Sequence, residues 1–238
     1  MNVIVLAAGY ATRLHPLTRD FPKSLLEVGG RSILERLLEK VFELDVDKIT
    51  LVSNARYADH FRDAVSSRVD LLVNQSTKVS DRLGAVADLE LALMTDMPDQ
   101  ALVLAADNIL TFDLADFWSH FREAGCGSLC AWRNPDLNDR CMRGNVEFDT
   151  AGYLTLFEEK PQRPKSVWST APIYAYTQDD LVLVAEYLKQ AGNPDAPGHF
   201  VEWLAKRQPL SVWCAPHAPI DVGTHEALAA ARAQVEGG

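Results

Sequence analysis

Four apolar runs of strand length punctuate the first 105 residues, at 3–6, 48–53, 69–73 and 101–105, with amphipathic segments between them. Within 32–44, Ile33, Leu37, Leu38, Val41 and Leu44 fall at helical spacing behind Ser32, whose hydroxyl can cap a helix N-terminus. Helices are also predicted over 57–65 and 83–94. Strands separated by helices in this way pair in parallel, because each helix returns the chain to the same edge of the sheet. A parallel sheet is covered on both faces. The predicted fold class is therefore α/β, a Rossmann-like, mostly parallel mixed sheet with helices on both faces. In such sheets ligands sit outside the carboxyl ends of the strands. That rule directs attention to residues 8–13, Ser53 and Asn54, Asn74 and Gln75, and Asp107 and Asn108.

Beyond residue 112 the pattern changes. A helix is predicted over 114–123, a strand over 127–132 and a polar loop over 134–142. A hairpin follows, with arms at 144–149 and 152–161, then a strand at 168–176. Helices at 179–189 and 200–206 flank the turn-rich stretch 192–198, a strand covers 210–214, and a last helix covers 226–235. The tail 236–238 is expected to fray. With no internal repeat or linker, 238 residues are read as a single domain, 1–238.

Composition narrows the function. A net charge of -10 and the lack of a basic stripe with interleaved aromatics argue against nucleic acid as a partner. No apolar run approaches the ~20 residues needed to span a bilayer, so no membrane partner is expected. The chain starts at once with strand-like sequence, which reads as no signal peptide. Cys126, Cys130, Cys141 and Cys214 form no C-x-x-C pair and no zinc spacing, and are read as reduced thiols of a cytoplasmic protein. A chain this acidic that handles anions needs local cations or metal ions to offset its own field.

Such cations occur in the loop after the first strand. Ala7, Ala8 and Gly9 have almost no side chain, so their backbone N–H groups can approach a bulky anion. Arg13 adds a planar fork suited to phosphate oxygens and Lys23 a compact charge, while Pro16 and Pro22 restrict the loop. The spacing is neither the three-glycine dinucleotide fingerprint nor a P-loop. The run Leu6-Ala7-Ala8-Gly9, Thr12-Arg13-Leu14, Pro16-Leu17-Thr18, Pro22-Lys23 resembles the signature loop of the sugar-1-phosphate nucleotidyltransferases, the nucleoside-diphosphate-sugar pyrophosphorylases. Ala11 stands where that family usually has a second glycine. Alanine tolerates positive φ poorly, so the local backbone is expected to differ slightly there.

The resemblance continues along the chain and implies a nucleotide-binding part over about 1–112 and an acceptor-binding part over about 113–225. It implies that Leu6, Ala7, Ala8, Gly9, Thr12 and Asp107 contact the nucleotide and that Gln75 and Gly84 read its base. Asp107, at the end of an apolar strand, and Asp221, in Ile220-Asp221-Val222-Gly223-Thr224, are implied to hold Mg²⁺. Two carboxylates suit this hard cation, with phosphates and water completing its shell. Gly144, Glu159, Lys160 and Tyr174 are implied to bind the acceptor, and Pro172 stands where a glycine is common.

The implied reaction joins an NTP to a sugar 1-phosphate and releases pyrophosphate, with Arg13 and Lys23 catalytic. Three alternatives remain open. A cytidylyltransferase could act on phosphocholine, caged by Trp168, Tyr174 and Tyr176, or on a phosphonate. A non-catalytic homologue could sense nucleotide sugars. A glycosyltransferase could use a similar sheet, although its usual Asp-x-Asp element is missing at Asp107-Asn108-Ile109. A homo-oligomer is also left open.

Overall fold

In the computed structural model, which describes residues 1–236, β1 (Asn2–Leu6) leads into the small-residue loop. Two single 3₁₀ turns follow, Thr12–Leu14 and Lys23–Leu25, and then a small hairpin of β2 (Glu27–Val28) and β3 (Arg31–Ser32). The alternating unit continues with α1 (Ile33–Phe42), β4 (Lys48–Asn54), α2 (Ala58–Ala64), β5 (Val69–Asn74), α3 (Ala85–Thr95) and β6 (Gln100–Ala105). Next come β7 (Asn108–Ile109), α4 (Leu114–Ala124), β8 (Gly127–Arg133), α5 (Leu137–Arg140), β9 (Gly144–Phe148) and β10 (Leu154–Glu159). The chain ends with β11 (Trp168–Thr177), α6 (Gln178–Leu181), α7 (Leu183–Lys189), α8 (Pro197–Leu204), β12 (Leu210–Cys214), β13 (Ile220–Asp221) and α9 (His225–Glu236).

The main sheet has the order β10-β9-β11-β6-β1-β4-β5, with β8 and β12 joining through β11. β1 runs parallel to β4 and β6, and β4 parallel to β5, whereas β11 is antiparallel to β6. Strand alternation sends Val3, Val5, Leu102 and Leu104 into a core shared with α1, α2 and α4. Ile4, Ala101 and Val103 enter a second core with α3, α7 and α8 on the other face. Helices on both faces of a mostly parallel mixed sheet are thus observed. No described helix is long and apolar enough to cross a membrane.

Helix α1 begins where its sequence dictates. Glu35 N donates to Ser32 Oγ at 3.1 Å, and Ser32 N donates to the Glu35 carboxylate at 3.4 Å. This reciprocal cap is worth about 1 kcal/mol. The helix then buries Ile33, Leu34, Leu37, Leu38 and Val41. A third, smaller core gathers Val28, Ile33, Ile109, Val222, Leu228 and Ala231. It binds β2, β7, β13 and α9 together, and so ties the end of the chain to its beginning.

Several expectations need correction. The segment 134–142 is not wholly loop, because the Asp136 carboxylate caps α5 by accepting from Asn138 N at 2.8 Å. The helix expected over 179–189 is divided at Val182. The one expected from residue 200 starts at Pro197, whose lack of an N–H suits a first helical position. The tail is helical to Glu236, and the rest of the expected fraying falls on residues 237 and 238, outside the described range.

Ala11 takes up the left-handed conformation that its side chain disfavours, with φ 45° and ψ 45°. Bonds from neighbouring elements hold it there: Thr18 Oγ1 donates to Ala11 O at 2.8 Å, and Tyr57 OH donates to Thr18 O at 2.7 Å. Replacing Ala11 by glycine should relieve this strain and raise unfolding stability by roughly 1 kcal/mol. Urea unfolding measures it, and a loss of stability would contradict the left-handed assignment.

Candidate active site

The carboxyl ends of β1 and β6 open onto a cleft of about 910 Å³ whose other wall is built from β9, β11 and the start of α8. The small-residue loop lines it from Leu6 to Arg13. Ala7 N donates to Val52 O at 2.8 Å, and Asn54 Nδ2 donates to Ala8 O at 2.9 Å, so the loop is held from the β4 side. Gly9 is exposed, and open space surrounds the point where a Cβ would sit. Such a bare stretch can bring backbone N–H groups up to a polyphosphate.

Across this loop three charged side chains converge. Antiparallel pairing of β13 with β7 sets Asp221 opposite Asn108, and Val222 N donates to Asp107 O at 3.4 Å. Residues 114 positions apart are thereby brought side by side. Lys23, on the turn fixed by Pro22, places its ammonium 2.7 Å from Asp107 Oδ2 and 3.6 Å from Asp221 Oδ1. Asn108 Nδ2 donates to the other Asp107 oxygen at 2.9 Å. Desolvation pushes the Asp107 carboxyl up, but the Lys23 ammonium and its hydrogen bond, with help from Arg13, outweigh it and hold the group below the ordinary carboxylate range. Asp107 is thus an ionised oxygen donor at neutral pH.

This donor set fits Mg²⁺. Both carboxylates reach one point, already marked by a cation, and among the described residues no third His, Cys, Asp or Glu joins them in a metal-holding group. Mg²⁺ characteristically takes one or two carboxylates and leaves its other positions to phosphate oxygens and water.

The opposite wall carries Gly144, Glu159, Lys160 and Tyr174, all lining the cleft. Glu159 pairs with Lys160 at 3.5 Å and is only 7% exposed. Burial raises its carboxyl above the usual range, partly offset by Lys160 and His199. Lys160 has φ 48°, and its N donates to Arg143 O at 3.1 Å. Tyr174 is buried at the cleft, where burial and then the Glu159 charge raise its hydroxyl well above the ordinary value. A bulge between Thr170 and Tyr174 places Pro172 at the cleft, where its missing N–H breaks no β8 pairing.

The family model described as Nucleotidyl transferase matches residues 2–237 of this chain. The chain belongs to that family. It is 26% identical over 180 residues to a UTP–glucose-1-phosphate uridylyltransferase of Haloferax volcanii, covering 74% of this chain and 72% of the relative. It is 29% identical over 197 residues to a glucose-1-phosphate thymidylyltransferase of Mycolicibacterium smegmatis, covering 81% of this chain but only 66% of that relative. A solved Bacillus anthracis protein, provisionally named a glucose-1-phosphate thymidylyltransferase, superposes with a TM-score of 0.88 at 23% identity. That match covers 99% of this chain and 95% of the other, and shows a shared fold.

Not every sequence-based expectation for this nucleotidyltransferase lands in the cleft. Gln75 is exposed and lies outside the cleft lining. Gly84 does line it, as the N-cap of α3 with φ 92°, and an added Cβ would lie 2.5 Å from Pro194 O. Other cleft residues escaped the sequence. A Cβ on Gly198 would overlap the Glu159 carboxylate, so a larger residue there would push that carboxylate aside, a role hidden in what reads as a turn-rich stretch. Arg143 lines the cleft from the single position between the predicted polar loop 134–142 and the hairpin arm at 144, where no role was assigned. Asp88 lines it one turn into α3, and the signal for it was a carboxylate lying between the apolar residues Val86 and Leu89.

Asp88 is only 5% exposed and accepts a 2.6 Å hydrogen bond from Asn74 Nδ2. Burial raises its pKa from 3.8 to about 6, against the smaller opposing effect of that bond. Between these values the folded protein binds more protons than the unfolded chain, so stability falls as pH rises through the window. The accumulated penalty above pH 6 is roughly 2–3 kcal/mol. Asp88→Asn keeps an oxygen for Asn74 and removes the charge. It should stabilise the protein at pH 7 by roughly 2 kcal/mol and leave it unchanged near pH 3.5. Urea unfolding at both pH values tests this, and equal stability at pH 7 would contradict it.

Proposed function

We propose that this chain couples an NTP with a sugar 1-phosphate to give an NDP-sugar and pyrophosphate, with Mg²⁺. The observation that carries the reading is the meeting of Lys23 with Asp107 and Asp221 at the mouth of the small-residue loop. Nucleotidyl transfer brings an anionic nucleophile against an anionic electrophile, so the protein must position and neutralise. Backbone N–H groups of the loop and Arg13 receive the triphosphate, and Lys23 holds the α-phosphate. Gly84, at the cleft end of α3, presents its backbone to the base. Gly144 and Glu159 hold the sugar, and Lys160 orients its phosphate.

An acceptor phosphate oxygen attacks the α-phosphorus in line, the bond to the bridging oxygen breaks, and pyrophosphate leaves with that oxygen. The attacking phosphate is already ionised, so no general base is required. Asp107 and Asp221 would hold Mg²⁺, which would supply positive charge to offset that of the phosphates.

A sugar is favoured over phosphocholine as acceptor because Trp168, Tyr174 and Tyr176 do not come together as a cage in the cleft. Trp168 packs on Phe148 at 5.2 Å and Tyr176 on Phe200 at 5.8 Å, and neither lines the cleft. The names of the Haloferax and Mycolicibacterium relatives support the same acceptor class.

Pyrophosphate release tests the reading, with Mg²⁺ and each common NTP crossed against a panel of sugar 1-phosphates and phosphocholine. Turnover is expected with a sugar 1-phosphate. Release with phosphocholine alone, or with no pair at all, would overturn the proposal. Lys23→Ala and Asp107→Ala should each cut turnover ~100–1,000-fold, the scale for a charge-stabilising group at a transition state. Their circular dichroism should match the wild type, and near-normal rates would exclude these roles.

A further inference from the structure

Arg143 stands on the cleft wall between α5 and β9. Its Nε donates to Asp139 Oδ2 at 2.6 Å, and Asn134 Nδ2 donates to the same Asp139 oxygen at 2.8 Å. The guanidinium also lies over Trp132, 5.4 Å from the ring centre. These contacts grip the group by its stem side. At its outer end Nη1 faces Asp221 but stops 3.7 Å from Oδ2, beyond hydrogen-bond length. The side chain is only 18% exposed. A guanidinium carries five N–H donors, and outer donors left unmatched in a partly desolvated place are costly.

The two neighbouring lysines are engaged differently. Lys23 is enclosed by two carboxylates, and Lys160 leans on Glu159. Arg143 alternatively offers a rigid fork with a free edge. Its carbonyl accepts from Lys160 N at 3.1 Å, and the next residue is Gly144, so it belongs to the backbone that forms the acceptor wall.

We propose that the outer edge of Arg143 binds the phosphate of the acceptor, a phosphomonoester dianion. The inference rests on the nucleotidyl-transfer reading above. A planar fork matches two phosphate oxygens, and this one is positioned in advance by Asp139 and Trp132, so little side-chain freedom is lost on binding. Docking exchanges a loose 3.7 Å approach to Asp221 for two charge-assisted hydrogen bonds. It sets the dianion beside the carboxylate pair, where its oxygen can reach the α-phosphorus.

Steady-state kinetics of Arg143→Ala and Arg143→Lys, with the substrate pair found for the wild type, test the assignment. Arg143→Ala should raise KM for the phosphorylated acceptor ~10–100-fold, the effect of losing one charged hydrogen-bonding group. KM for the NTP should stay within about twofold, and Arg143→Lys should recover part of the loss. Arg143→Gln, which retains an N–H for Asp139, takes the place of the alanine variant if that fails to fold. An unchanged acceptor KM, or equal rises in both KM values, would overturn the role of Arg143 while wild-type turnover leaves the reaction standing. A wild type silent with every pair would overturn the reaction and this assignment together.

Discussion

A half-buried lysine ammonium shared between two carboxylates sets the geometry of the cleft. Lys23 is 10% exposed; Asp107 reaches it from the turn between β6 and β7 at 2.7 Å, and Asp221 from β13 at 3.6 Å. Two carboxylates this close repel each other unless a cation lies between them. The ion pair stabilises little by itself, because desolvation offsets much of the attraction. Its consequence is geometric. It fixes where negative charge gathers, and hence where a divalent cation and a string of phosphates can be accommodated by a protein whose net charge is -10.

That meeting depends on parts of the fold far from the charges. Val222, Ile109, Val28 and Leu228 pack into one small core, which clamps the two-residue strands β7 and β13 together. Neither strand is long enough to be stable alone. Apolar packing of the last helix thus sets the position of a carboxylate, and the Pro22 turn delivers the lysine from the opposite side. On the opposite wall, Glu159 and Lys160 pair beside Gly144 and Gly198, and Arg143 is braced by Asp139.

Much of the sheet was legible because burial on two faces writes a strong pattern. Ile4 between Val3 and Val5 goes to one core while its neighbours go to the other, and the helices after β1, β4 and β5 carry the matching stripe. The loop signature was legible because many positions are restricted at once. Other features carry no such pattern. β2, β7 and β13 are two residues long, too short for periodicity to register. Ala11 sits at positive φ because Thr18 holds it there, a tertiary bond that overrides its local preference. Gly198 owes its place to Glu159, distant in the chain, and Arg143 to a brace by Asp139 and Trp132 that has no periodic signature, while Gln75 lies outside the cleft lining although its position after a strand suggested otherwise.

The central claim is that Asp107 and Asp221 form one cation site at the phosphate end of the cleft. Mn²⁺ binding followed by electron paramagnetic resonance, with and without NTP, measures it most directly. The account predicts that NTP strengthens Mn²⁺ binding in the wild type, and that Asp107→Asn and Asp221→Asn each weaken the ternary complex by at least ~10-fold, the low end for losing a group that supports a metal. Wild-type Mn²⁺ affinity in both variants would contradict it.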